Sequence, residues 1–248
     1  MNKIKSCIKN RHGFTVIEML VTLVIGMVMM MAIYGVINHA QRSSSGIERK
    51  VVAQQDERSA LELMAMEIRM ASYNMYYSTG NWLNSNTCNG AAANQNWKGI
   101  QEATPLSITV EMDINDPANS GEGNCIVNSN PTCMQDADEV IRYRYDPNDL
   151  YITRSTNCGA EQAFLGDTAA SGNPRTVRVI NGVDIPVFRY FDGQGAEIPP
   201  ANLPAHIPDI RRIEITLVVE TENIDPNTGA RRRMTYSTSV IPRNHVSD

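Results

Sequence analysis

Residues 14–37, FTVIEMLVTLVIGMVMMMAIYGVI, constrain the chain more than any other stretch. From Met19 to Ile37 there is no charged side chain. As a helix rising about 1.5 Å per residue, the run approaches the ~30 Å hydrocarbon thickness of a bilayer. Lys3, Lys5, Lys9 and Arg11 precede it with no acid among them. Basic residues before the span and a long polar remainder after it place the N-terminus in the cytoplasm and the bulk of the chain outside. An ordinary signal peptide would be cut after the apolar run, at small residues in an A-x-A-like pattern, and MAIYGVINHA at 31–40 is a poor match. One residue sits awkwardly in this segment. Glu18 is a carboxylate near its start, and such a charge costs roughly 2.5–3.5 kcal/mol at a bilayer centre, less near an interface, and usually marks function.

The stretch GFTVIEML at 13–20, behind its short basic leader, resembles the cleavage and methylation motif of type IV pilins and type II secretion pseudopilins. The resemblance implies that a membrane prepilin peptidase cuts between Gly13 and Phe14 on the cytoplasmic side and methylates the new amine of Phe14. The apolar helix then stays in the mature protein. Gly13 suits a cleavage site because it has no Cβ to restrict the approach of a protease. Glu18 becomes the fifth residue of the cut chain, and the resemblance implies that it pairs with the N-terminal amine of a neighbouring subunit in the membrane and filament. Opposite charges attract strongly in a low-dielectric site, whereas either alone is penalised. The plainer alternative is a glutamate snorkelling to the headgroups. Many major pilins carry a helix-breaking proline near the middle of this segment; this chain has Gly35 instead.

No proline occurs before Pro105, so nothing forces a helix break in the first hundred residues. In QQDERSALELMAMEIRMASYNM, Leu61, Met64, Ala65, Ile68, Ala71 and Met75 recur at three- and four-residue spacing, a stripe that should pack on a sheet. Glu57, Arg58, Glu62, Glu67 and Arg69 are expected mostly on the other faces. Gly26, Gly35, Gly46 and QRSSSG at 41–46 are expected to weaken the helix locally. Residues 78–101, rich in Asn and Gly, read as an exposed loop that Cys88 tethers. Beyond it LSITVEM, EVIRYRY with LYITR across the DPND turn, RTVRVI and VDIPVFRYF alternate as strands. RRIEITLVVETE and RRRMTYSTSVIPRN flank NIDPNTGA and should form a long antiparallel hairpin. The fold expected is α+β and pilin-like: a long N-terminal helix, membrane-spanning in its first half, packed on an antiparallel β-sheet. Its parts are a leader (1–13), a transmembrane or filament-core helix (14–38), an amphipathic continuation (39–77) and a β-rich periplasmic domain (78–248).

Charge and cysteines narrow the compartment and the partners. The net charge is −5, and without the four basic leader residues the balance is 18 basic against 27 acidic side chains. That argues against a sequence-independent nucleic-acid binder, although Arg231, Arg232 and Arg233 make a local basic run. Cys7 lies in the leader, whereas Cys88, Cys125, Cys133 and Cys158 follow the apolar segment. An even set in an exported, loop-rich region reads as two disulfides. Zinc knuckle spacing is absent and no metal is expected. Of the three pairings open to four cysteines, the turn-forming NSNP between Cys125 and Cys133 favours that bond, leaving Cys88 with Cys158.

Within the pilin group, QQDERSALELMAMEIRMASY and SVIPRN resemble the PilW-like minor pilins at both ends of the chain. The resemblance implies a low-copy subunit that helps initiate pilus assembly near the filament tip, with a possible share in adhesion or motility. Its partners would be prepilin peptidase, other minor pilins, the major pilin, an inner-membrane assembly platform and the lipid bilayer. It would be a single-pass protein of the bacterial inner membrane, its C-terminal domain periplasmic, later carried to the pilus and cell surface. A J-type minor pseudopilin of type II secretion shares these features. A membrane-anchored adhesin using Trp82 and Trp97 is a reading of another class, and buried tryptophans anchoring the loop would look the same in sequence. An enzyme is not expected: no G-x-S-x-G, P-loop or H-E-x-x-H occurs, and His12, His39, His206 and His245 stand in no serine or cysteine motif. No cofactor is implied. DINDP, DADE and FDGQGAE lack EF-hand spacing and read as solvated turns.

Overall fold

The computed structural model describes residues 13–74, 82–84, 86, 88, 92–114, 139–166, 176–225 and 228–245. With no proline to interrupt it, one helix, α1, runs Val16–Arg69. It continues through Gly26, Gly35 and QRSSSG, where weakening was expected. Within that stretch Ser45 Oγ donates to the Arg42 carbonyl at 3.0 Å, a bond made inside the helix. The chain divides into two compact units, Met1–Ile47 and Glu48–Asp248. In the first, the large apolar side chains from Phe14 to Ile37 are exposed. This part of α1 holds a window long and apolar enough to cross a membrane, none of it buried.

In the second unit the stripe behaves as its spacing requires. Ala53, Ala60, Leu61, Met64, Ala65 and Ile68 are buried, with Ala71 just beyond the helix; Met75 lies outside the described residues. Two expectations fail here. Glu57 and Glu67, expected on the polar faces, are buried. Glu67 is held by Arg154, through Nη2 at 2.7 Å and Nε at 3.2 Å, and by the Tyr143 hydroxyl. These charge-assisted bonds replace its water. The helix also ends at Arg69 instead of reaching 77: Met70–Ser72 form a turn, Ser72 takes φ 64°, and its N–H donates to the Glu111 carbonyl at 2.9 Å. A tertiary hydrogen bond replaces the next intrahelical one.

Two antiparallel sheets follow. The first is a meander in the order β1 (Ile100–Ala103), β2 (Ser107–Glu111), β3 (Val140–Asp146), β4 (Tyr151–Thr156) and β5 (Gln162–Leu165). The second is built on β8 (Arg212–Thr221). One edge of β8 pairs along its length with β9 (Arg233–Val240), while β6 (Val177–Val179) and β7 (Phe188–Phe191) share the other edge end to end. The expected hairpin is β8–β9, and Asp225 carries its turn: its N–H donates to the Ala230 carbonyl and its carbonyl accepts from the Gly229 N–H, with Gly229 at φ 67°. Strands β1 and β5 were not anticipated; both are four residues long and too short to show a period. The second half of α1 touches both sheets, through Glu67 on β3 and β4 and through Arg58, whose guanidinium lies over the Tyr236 ring of β9 at 5.6 Å.

The Asn-rich stretch is less exposed than its composition suggests. Trp82, Leu83, Cys88 and Ala92 are buried in a small cluster with Val140, and residues 100–101 belong to β1. Gln95 stitches the loop: its side-chain amide donates to the Trp82 carbonyl at 2.8 Å and its Oε1 accepts from the Trp82 N–H at 3.2 Å. Trp82 thus anchors the loop, and Trp97 is half-buried.

Candidate functional site

The chain enters α1 through a reciprocal set of bonds. Thr15 stands just before the first helical residue, Val16, with Glu18 three residues further on. The Glu18 N–H donates to Thr15 Oγ1 at 3.3 Å, while Glu18 Oε2 accepts from the Thr15 N–H at 2.8 Å and from the Thr15 hydroxyl at 2.9 Å. This is a capping box, in which donors left over at a helix start are satisfied by side chains. The T-x-x-E spacing is legible in TVIE, although neither subunit pairing nor snorkelling to the headgroups calls on it. The cap explains in part how the charge is tolerated in an apolar segment, since two donors and the positive end of the helix dipole face it. Oε1 has no partner among the described residues. An anionic oxygen at the head of an apolar helix can accept a charged amine.

Gly13 and Phe14 precede the cap in non-helical backbone and are exposed. A Cβ at Gly13 would meet nothing within 4 Å. A peptidase needs an accessible bond, and the residues on both sides of this one are exposed. Residues 8–34 match the prokaryotic N-terminal methylation motif. The chain carries a prepilin-type N-terminus. This supports a type IV pilin-like protein and implies processing by a prepilin peptidase and assembly with pilus components; the apolar helix fits a membrane-anchored pilin. The chain matches no curated protein and no solved structure.

The remaining residues singled out lie in the second unit. Cys88 and Cys158 are bonded, S–S 2.09 Å, across 70 residues of sequence. Cys125 and Cys133 lie outside the described residues. Among the described residues no cluster of three His, Cys, Asp or Glu side chains is arranged to hold a metal ion. In FDGQGAE the carboxylates are engaged locally: Asp192 Oδ1 accepts from the N–H groups of Gln194 and Ala196, and Glu197 pairs with Arg189.

His245, which stands in no serine motif, meets a serine from a distant segment. It is buried and its Nδ1 lies 2.9 Å from Ser72 Oγ, while Nε2 lies 2.8 Å from the Ile207 carbonyl. A carbonyl only accepts, so Nε2 carries the proton and Nδ1 accepts from the Ser72 hydroxyl. Burial pushes the His245 pKa down to about 4. Ser72 Oγ also accepts from the Gly99 N–H at 2.9 Å. The hydroxyl is buried and engaged on both sides, so the pair works as a clasp joining the end of α1 to the last described residue. It joins residues 173 positions apart, and no local signal in sequence could have paired them.

Proposed function

We propose that this chain is a minor type IV pilus subunit that helps initiate assembly near the filament tip. The observation that carries the reading is the prepilin-type motif at residues 8–34, set at the head of an apolar helix with an exposed Gly13–Phe14 bond. In this reading the peptidase removes residues 1–13 and methylates Phe14. The helix holds the subunit in the inner membrane with Glu48–Asp248 on the periplasmic side. Glu18 serves twice: it caps its own helix through Oε2 and offers Oε1 to the N-terminal amine of a neighbouring subunit. The minor role rests on the resemblance of QQDERSALELMAMEIRMASY and SVIPRN to PilW-like proteins. The chain acts by docking, not by catalysis.

Mass spectrometry of the mature N-terminus tests the first step; a chain that begins at Met1 or after Ala40 refutes it. The second test replaces Glu18 by Val. Membrane insertion should persist, because the apolar run is untouched and a costly charge is gone, while surface pili fall in number. Normal piliation in the Glu18→Val strain would reduce Glu18 to a helix cap.

A further inference from the structure

Strand β9 pairs with β8 along Arg233–Val240 and, among the described residues, with no strand on its other side. A free edge presents N–H and C=O groups that template another extended chain, and proteins usually guard such edges with proline, a bulge or inward charges. Between Met234 and Val240 this strand has none of these; its one charged residue is Arg233 at the start. Beside the strand lies a groove lined by Lys50 and Gln54 of α1 and by Arg232, Arg233, Met234 and Tyr236. Met234 and Tyr236 pack on the core but stay only half-buried, leaving apolar surface in the groove.

The groove is cationic on a chain that is acidic as a whole, at a net charge of −5. Arg232 is committed to Asp225, with Nε at 2.7 Å and Nη2 at 2.6 Å. Lys50 and Arg233 have no anionic partner among the described residues; Arg233 stands opposite Glu220 in register without an ion pair. Arg58 adds a third charge above the Tyr236 ring. Between Lys50 and Arg58 the helix carries two acids: Asp56 already accepts from the Thr176 hydroxyl at 2.7 Å, and Glu57 is buried.

We propose that this groove takes an extended acidic segment of another protein, added to β9 as a further strand. Main-chain bonds to the free edge supply the alignment, and side chains alternate to the two faces of the new strand. On the helix side they cover Met234 and Tyr236 and set carboxylates against Lys50 and Arg58. On the outer side they meet Arg233.

The test uses the full processed chain in detergent micelles and a peptide of about eight residues alternating glutamate with valine. Binding should slow amide hydrogen exchange within residues 234–240 and weaken as salt is raised. Exchanging the peptide's glutamates for lysines should abolish it. The double variant Lys50→Glu, Arg233→Glu alters two surface side chains and should weaken the glutamate peptide about tenfold with the fold intact. Failure of the glutamate peptide to protect β9, equal binding of the lysine peptide, or pairing of β9 with a second copy of this chain each overturns the proposal.

Discussion

Glu57 faces inward from the half of α1 that packs on the sheets, and replacing it should make the protein more stable. Its side chain is 0% exposed, and neither carboxylate oxygen has a hydrogen-bond partner among the described residues. Desolvation pushes its pKa up to about 8, against a smaller opposing pull from Arg58. In the folded protein the group is therefore neutral at pH 7, while in the unfolded chain it is ionised. The folded state holds the extra proton, so stability falls as pH rises through the ordinary carboxylate range and levels off once pH passes about 8. At pH 7 the penalty is about 3 kcal/mol, and the oxygens left without partners add to it. Methionine has similar length, no branch and no charge. Glu57→Met should raise the unfolding midpoint at pH 7 by about 6–12 °C, taking about 2–4 °C per kcal/mol for a domain of this size. Glutamine in the same place should flatten the pH dependence but gain less, because its amide stays without partners. The assay is thermal unfolding of the processed protein in detergent micelles across a pH series. Glu111 is also pushed up to about 8, so the decisive quantity is the difference between wild type and Glu57→Met. That difference should grow with pH up to about 8 and shrink in mild acid to the pH-independent cost of the partnerless oxygens. Parallel curves, or a less stable methionine variant, would refute the reasoning.

Three further substitutions probe the scaffold. Gly99→Ala should cost more than about 3 kcal/mol and yield little folded protein, because the new Cβ would fall 2.2 Å from both the Glu111 carbonyl oxygen and the Ser72 nitrogen; expression with circular dichroism reads this out. His245 has its pKa lowered by burial, so the folded state binds fewer protons than the unfolded one. Its contribution, about 3 kcal/mol, is present above the ordinary histidine range and is lost as pH falls toward about 4; His245→Gln should show a shallower acid limb in an unfolding titration. Cys88→Ser should destabilise the protein by about 4 kcal/mol, since the bond closes a loop across 70 residues, and reductant should then affect the variant less than the wild type.

How much of this was readable before folding depends on how far apart the causes sit. The membrane-length run, the motif around Gly13, Phe14 and Glu18, the Leu61–Met64–Ala65–Ile68 stripe and the β8–β9 hairpin are all written within short windows. Helical and strand periods are local properties of a chain, and a turn such as that at Asp225 needs only its neighbours. The capping box of Thr15 and Glu18 is equally local, a T-x-x-E spacing within one helical turn.

Other features exist only because distant segments meet. Glu67 is buried because Arg154, 87 residues later, and Tyr143 of β3 reach it; sequence spacing placed it among the solvated charges. The end of α1 at Arg69 depends on Ser72 reaching Glu111, Gly99 and His245, the last of these 173 residues away. Without those partners the amphipathic pattern would carry the helix onward. Burial of Trp82 and Leu83 likewise depends on Val140 and on the bond from Cys88 to Cys158. Composition counts asparagines and glycines but cannot count the hydrogen bonds that Gln95 and Glu111 provide. The sequence thus determined the membrane-length apolar run, the prepilin-type motif and the kinds of element. Tertiary packing decided where the helix stops and which carboxylates lose their water, because desolvation and hydrogen-bond satisfaction depend on everything that surrounds a residue.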